Sequence, residues 1–424
     1  MIIEDYFYEK FIKNPKKGTD RIFNFLSKIN HPQKNLKNII HVAGTNGKGS
    51  TIEFLRSCLT FNQLTSNVFT SPHLLKLNER FIINDKIIDD NSLSSVIENC
   101  SHFCSDQELS FFEFITACAF EIFSKNISDF NIFEVGIGGL HDPTNIISEK
   151  ELSIITTISY DHEDLLGSDL EMIAKEKLGI IPNNGYVIFG PQCNSLKKII
   201  CKNLTEKNAK GFFYGKDWFI KKDDELIIYR DEFGGLEFNL LGLNGDYQIF
   251  NAGLCIAALR LLKRKNKISV NDEGIINGLK NAQLQGRLTE LTGNTKSWIK
   301  KSSEILIDGC HNPSAAKVIS NEMIKKDNKD RKDLLIILGI KKNKNLEDFI
   351  IKFNGIAKEI TFVPIEGNVS SSILDIRNKN LFKNTILKEA PSLKEAIMTY
   401  SKYENSRILI CGSLYLVSEA LRID

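Results

Sequence analysis

The sequence predicts an α/β fold in two domains: a larger N-terminal one on a mainly parallel sheet with a small antiparallel patch, and a smaller C-terminal α/β one. Three observations carry that expectation. Short runs rich in β-branched and aromatic residues alternate with longer apolar stretches of helical spacing, the pattern of a parallel sheet covered by crossover helices. From Asp217 to Leu243 the pattern changes to short strands around the turn residues of RDEFGGLEF, which read as the antiparallel patch. After LQGRL (284–288) a new strand and helix series begins, and a chain of 424 residues favours more than one core.

In chain order, NIIHVA (38–43) reads as a strand and Gly49 to about Thr60 as a helix. FFEFITACAFEIFSKN (111–126) is a strongly apolar helix, and FNIFEVGIGG (130–139), LSIITTISY (152–160) and YVIFG (186–190) are buried strands. NAGLCIAALRLLKRKN (251–266) restores a helix. EILIDG, LLIILGI, EITFVPI and RILICGS then supply four strands of the smaller domain, and the expected division is 1–285 and 286–424.

Composition excludes several classes. Lys+Arg of 55 against Asp+Glu of 53 leaves a formal charge of +2, so no broad attraction to nucleic acid or to an acidic membrane is expected, and the partners should be small molecules. The start MIIEDYFYEKFIKNPKKG carries early acids and lacks the basic end and apolar run of a secretory signal, and no stretch has the apolar length to span a bilayer. Nine cysteines, an odd number without C-x-x-C spacing, fit a reducing cytoplasm.

The chemistry concentrates in HVAGTNGKGS (41–50). It departs from the common phosphate-loop pattern G-x-x-x-x-G-K-[ST], because Val42 stands where the first glycine should be and Gly49 separates Lys48 from Ser50. Phosphate binding asks for converging backbone N–H groups, a positive helix end, a cation and an oxygen for magnesium. Here Gly44 and Gly47 allow a tight turn, Lys48 supplies the charge, Gly49 permits close approach and Ser50 begins the helix. The competing reading is a glycine-rich turn with an incidental lysine. Glu134, before the flexible GIGG, and Asp161 with His162, after the strand ending at Tyr160, should emerge at the carboxyl edge of the sheet, where ligands bind in such folds. Glu134 offers a hard oxygen suited to magnesium, whereas His162 is an atypical ligand for that ion and reads equally as a structural histidine.

Ten ordered segments together resemble the folate branch of the Mur-type amide ligases, the folylpolyglutamate synthases and bifunctional dihydrofolate synthases. They are HVAGTNGKGS, TSPHLLKLNERF (70–81), SFFEF (110–114), EVGIGG with DPTN (134–139 and 142–145), DHEDLLG (161–167), IAKEKLGI (173–180), GDYQIFNA (245–252), QGR (285–287), DGCHNP (308–313) and CGSLYLV (411–417). The likeness runs from about Gly18 to the C-terminus.

The resemblance implies a P-loop-type ATPase domain followed by a Rossmann-like ligase domain, and a reaction that joins L-glutamate to dihydropteroate, to reduced folates, or to both. It implies an ATP site at Asn46, Gly47, Lys48, Gly49, Ser50, Asn251, Arg287 and Asp308, and magnesium, as two ions, held by Ser71, Glu134 and His162. Lys177 resembles the lysine that such enzymes convert to a carbamate, with Lys175 as the competing candidate. His311 would contact phosphate or assist proton removal from the incoming ammonium. Ser110, Phe111, Phe112, Glu113 and His141 match positions around the pterin-bearing substrate, the phenylalanines reading equally as helix core, and Arg80 would clamp a carboxylate.

The chain departs from the family at Leu140, where arginine is common, at Tyr247 and Cys310, and at Asn343 and Asn345, which flank the retained Lys344 in place of two acids. A cytoplasmic monomer is expected. A cell-wall Mur ligase and a nucleotide-binding regulator without ligase activity are the alternatives; the first fits GKGS and SFFEF poorly, and the second would not need DGCHNP.

Overall fold

The computed structural model describes residues 10–13, 16–376, 382 and 384–424. By contacts the chain forms two units. The first comprises the chain up to Ser159, Leu165–Gly242 and Gln248–Ala282; the second comprises Tyr160–Asp164, Leu243–Tyr247 and Gln283–Asp424.

The first unit is organised by an eight-stranded sheet of β1 (Ile39–Ala43), β2 (Ser66–Phe69), β3 (Phe81–Ile83), β4 (Lys86–Ile87), β5 (Phe130–Glu134), β6 (Leu152–Ile155), β7 (Tyr186–Phe189) and β8 (Lys210–Phe213). Its order is β4-β3-β2-β5-β1-β6-β7-β8, with the β2 to β8 portion parallel and the β3-β4 hairpin antiparallel at one edge. Every residue of β1 and β5 is buried, as expected of central strands covered on both faces. The helix Phe111–Lys125 begins with a capping box between Ser110 and Glu113, and it sets Phe114, Ile115, Phe120 and Phe123 into a core that includes Phe133 of β5. Burying each such phenylalanine contributes about 1.5–3 kcal/mol.

The patch expected between Asp217 and Leu243 is a separate three-stranded antiparallel sheet of β9 (Trp218–Asp223), β10 (Leu226–Asp231) and β11 (Gly234–Phe238). The helix Gln248–Arg264 packs on β9, with Gly253 against the Trp218 ring.

The second unit carries six strands rather than the four expected. β12 (Thr289–Glu290), β13 (Glu304–Ile307), β14 (Asp333–Leu338), β15 (Ala357–Phe362), β16 (Ile386–Glu389) and β17 (Ser406–Cys411) lie in the order β12-β13-β17-β14-β15-β16, all parallel except β12. The two unforeseen strands are the edges. β12 has two residues, and β16 (ILKE) is exposed or half-buried throughout, so neither has the apolar run that marks a central strand.

Two strands stop earlier than their apolar runs suggest. β5 ends at Glu134 because the N–H groups of Gly136 and Ile137 turn to the Asp142 carboxylate, each at 3.0 Å. β6 ends at Ile155 because Thr156, Thr157 and Ser159 bond the glycine loop instead of continuing the sheet.

Candidate active site

In the first unit, β1 delivers the glycine loop to the carboxyl edge of the sheet, and the segment after β6 holds it there. Thr45 N–H donates to the Thr157 carbonyl at 2.7 Å, and the Thr156 hydroxyl donates to the Asn46 carbonyl at 2.7 Å. Gly44 (φ +149°) and Gly47 (φ +91°) occupy backbone conformations that side chains disfavour, and there is no room for one: a Cβ would stand 1.8 Å from Thr156 Oγ1 at Gly44 and 2.4 Å from Asn251 Oδ1 at Gly47. Gly47 is the N-cap, so the helix starts at Lys48, one residue before the expected Gly49, and runs to Phe61. Ser50 is buried in its first turn.

Three of the sequence-predicted residues converge on this loop. Lys48 Nζ donates to the Gly44 carbonyl at 3.3 Å and lies 3.9 Å from Glu134 Oε1. Lys177 Nζ donates to the same carbonyl at 3.1 Å. Lys177 is buried on the helix Leu170–Leu178, whereas Lys175 is exposed. Glu134, buried at the end of β5, also accepts the Ser71 N–H at 3.1 Å, bringing Ser71 into the group. Two ammonium groups on one backbone carbonyl, with a carboxylate beside the first, make a site of concentrated charge, with hard oxygens suited to a divalent cation. Asn251, buried beneath Gly47, donates to Gln248 Oε1 at 2.7 Å.

The end of the Lys177 helix is held by two further lysines that the sequence reading did not mark. Lys207 Nζ bonds the carbonyls of Leu178, Gly179 and Ile181, and Lys150 Nζ bonds that of Ile180 at 2.7 Å. Cations at a helix C-terminus complement its dipole. Burial, reinforced by Lys207, lowers the Lys150 ammonium to about 7.

The residues matched to the pterin substrate lie elsewhere in the first unit. Ser110 and Glu113 form the capping box, and Glu113 also pairs with Arg21 at 2.9 Å, so both polar side chains already serve the fold. Phe112 stacks on Phe69 with centroids 6.0 Å apart. Arg80 is buried rather than solvated: its Nε donates to His73 Nδ1 at 2.8 Å, and its guanidinium lies 5.8 Å from the Phe111 ring. Burial and the Arg80 charge depress His73 to about 4. His141 is exposed, with Nδ1 2.9 Å from Glu176 Oε1, and its neighbour Leu140 is 45% exposed where the resemblance expects arginine.

In the second unit, Asp161 is the hub. Its buried carboxylate accepts from His311 Nε2 at 3.1 Å, from Asn312 Nδ2 at 3.1 Å and from Lys344 Nζ, and His162 Nε2 lies 3.9 Å away. Burial by itself would raise this carboxyl, but the hydrogen bond from His311 and the charges of His311, His162 and Lys344 hold it well below the usual carboxylate range. Asp161, His162 and His311 offer ligand atoms within 4.8 Å of one another. The sequence placed Asp161 at the sheet edge but not in the site, and it left Asn312 and Lys344 without roles; the DH pair and the lysine retained between two asparagines were the available signals. Asn343 donates to Asp164 at 3.1 Å, and Asn345 caps the helix Leu346–Ile350, so both departures have structural employment here.

Asp308, at the end of β13, accepts the N–H groups of Leu288 at 2.9 Å and Cys310 at 2.8 Å. Burial raises its carboxyl, against the opposing charge of Arg287. Tyr247 places its hydroxyl 3.5 Å from the same carboxylate. Arg287, half-buried, donates to the Gly286 carbonyl.

The glycine loop, its helix and the charged edge of the sheet define a nucleotide-binding α/β protein. The family model for the Mur ligase middle domain matches residues 42–259, and that for the dihydrofolate synthetase C-terminal domain matches residues 291–423. The chain is 30% identical over 417 residues to the dihydrofolate synthase/folylpolyglutamate synthase of Bacillus subtilis (strain 168), covering 95% of this chain and 94% of that protein. It is 30% identical over 441 residues to the dihydrofolate synthetase of Saccharomyces cerevisiae, covering 96% and 97%. The fold superposes on E. coli FolC in complex with DHPP and ADP with a TM-score of 0.85 at 26% identity, covering 99% of this chain and 96% of that one. The chain therefore belongs to the dihydrofolate synthase/folylpolyglutamate synthase branch of the Mur ligase family. No helix among the described residues is long and apolar enough to cross a membrane.

Proposed function

We propose that this protein is an ATP-dependent ligase that joins L-glutamate to dihydropteroate, to the glutamate tail of reduced folates, or to both. The observation that carries the reading is that Lys48 and Lys177 both donate to the Gly44 carbonyl at the head of a helix, with the Glu134 carboxylate beside Lys48.

A carboxylate is a poor electrophile and hydroxide a poor leaving group, so the acid must be activated. A carboxylate oxygen of the folate substrate attacks the γ-phosphorus of ATP, ADP departs, and an acyl phosphate results. The glutamate amine then attacks the acyl carbon, loses a proton and expels inorganic phosphate, leaving an amide. Such transfer relies on position and charge neutralisation more than on covalent chemistry by the protein. Asn46, Gly47, Gly49 and Ser50 cradle the phosphates, Lys48 neutralises the outer ones, and Asn251 supports the loop beneath Gly47. Arg287 and Asp308 are assigned to the nucleotide, and His311, fixed by Asp161, to a phosphate oxygen.

The buried carboxylate of Glu134 and the half-buried hydroxyl of Ser71 suit magnesium, and we assign them with His162 as its ligands, for two ions. Magnesium, when bound, screens the phosphate charge and makes the γ-phosphorus more electrophilic. Lys177 as a carbamate fits the same logic: a buried ammonium beside divalent cations is repelled, whereas its carbamate attracts them. Ser110, Phe111, Phe112, Glu113, His141 and Arg80 are assigned to the pterin-bearing substrate, ATP binding to residues 1–285 and the ligase domain to 286–424, in a cytoplasmic monomer.

The test is an omission assay with purified protein. Phosphate release should require ATP, magnesium, glutamate and either dihydropteroate or tetrahydrofolate. Release with a UDP-linked muramyl acceptor instead, or with no acceptor at all, would overturn the reading.

A further inference from the structure

Within the first unit, a cavity of about 580 Å³ opens between β8, the three-stranded sheet and the helix Gln248–Arg264. That volume is in the range of small-molecule sites, and no residue assigned to the reaction lines it.

Its floor is aromatic. Trp218 and Tyr229 are buried with rings 6.1 Å apart and 20° from parallel. The Tyr229 hydroxyl donates to Asp231 at 3.0 Å, and the Trp218 Nε1 is buried with no hydrogen-bond partner among the described residues. The walls repeat one pairing: Lys210 Nζ lies 5.4 Å from the Phe212 ring centroid, and Arg264 Cζ lies 5.4 Å from that of Phe233, itself half exposed.

The charge left over is positive. Asp231 pairs with Arg260 at 2.9 Å and Glu232 with Arg264 at 2.5 Å, while Asp217, which accepts the Phe213 N–H at 2.7 Å, keeps its charge and is outnumbered by Lys210, Lys216 and Arg230. Lys210 and Lys216 have no carboxylate partner among the described residues. Flat aromatic surfaces beside ammonium groups without a carboxylate partner ask for one kind of occupant.

We propose that this cavity is a binding site for a planar heteroaromatic anion, its ring between the aromatic walls and its acidic group on Lys210 and Lys216. A nucleoside phosphate and a pterin with a carboxylate tail share that chemistry. The proposal stands apart from the ligase reading, because it uses none of those residues.

The chain has two tryptophans, so Trp298→Phe leaves Trp218 as the sole indole reporter. The full chain with this substitution is titrated with adenosine 5′-monophosphate in one arm and folic acid in the other, following Trp218 emission. Saturable quenching at millimolar ligand or below is expected in at least one arm, and the responding arm identifies the source. The double variant Lys210→Ala, Lys216→Ala should weaken it roughly tenfold or more while turnover at saturating substrate is unchanged. No saturable change in either arm overturns the proposal. So does quenching that the double variant leaves unaltered, since the ligand would then sit elsewhere.

Discussion

Asp161→Asn is the substitution whose cost the geometry sets most clearly. The wild-type carboxylate is 8% exposed and receives donors from His311, Asn312, Lys344 and the backbone N–H of His162. The amide keeps one acceptor oxygen, turns an N–H₂ group toward donors and leaves the Lys344 ammonium without its counter-charge. Removing one partner of a buried ion pair costs about 3–5 kcal/mol, more than any one of the hydrogen bonds. Urea denaturation followed at Trp298, which lies in the second unit, should register that loss at neutral pH. The pH dependence has a definite sign. The folded carboxyl is held below its ordinary value of 3.8, so the folded state binds fewer protons than the unfolded one. Its contribution is full above pH 3.8 and is lost as pH falls from there toward the folded value, so the gap between wild type and variant should narrow in acid. A loss under about 1 kcal/mol at neutral pH, less than a buried charge requires, would refute the reasoning.

Three further expectations follow from the first unit. Lys48→Ala should lower turnover by roughly 10²–10³ or more while leaving the thermal midpoint nearly unchanged, because among the described residues the polar contacts of its ammonium are a 3.3 Å bond to the Gly44 carbonyl and a 3.9 Å approach to Glu134; unaltered turnover would contradict its assignment. Gly44→Ala forces a Cβ toward Thr156 and should cost about 1–3 kcal/mol in thermal or chemical denaturation, with weaker ATP binding by calorimetry. His73 is depressed from 6.5 to about 4, so the unfolded chain takes up its proton first and the folded state loses stability as pH falls through that window; His73→Gln should flatten the pH dependence of the denaturation midpoint between those values.

The sequence exposed what depends on local pattern. Apolar runs located the central strands β1, β5, β6, β7, β13, β14, β15 and β17, and GTNGKGS placed the charged loop at the head of its helix. The edge strands β4, β8, β12 and β16 escaped notice, because such edges owe their conformation to a neighbour's hydrogen bonds rather than to their own residues, and so did the internal strands β2 (SNVF) and β3 (FII), whose runs are too short to stand out. Lys48 and Glu134 could be grouped because each lies at a predicted strand end, whereas Ser71 joined them only through the resemblance. The Asp161 hub could not: Lys344 lies 183 positions from Asp161, and nothing local marks them as partners. Nor does anything local mark the burial of Arg80, expected to clamp a carboxylate, because that burial depends on His73 and Phe111 packing against it.

The central claim is that the γ-phosphoryl group of ATP passes to the carboxylate that is to be amidated. Dihydropteroate labelled with ¹⁸O in its carboxylate tests it directly. During turnover with ATP and glutamate, one labelled oxygen should appear in the inorganic phosphate released, because the acyl C–O bond breaks when the amine attacks. Amide formation with phosphate free of the label would contradict the account.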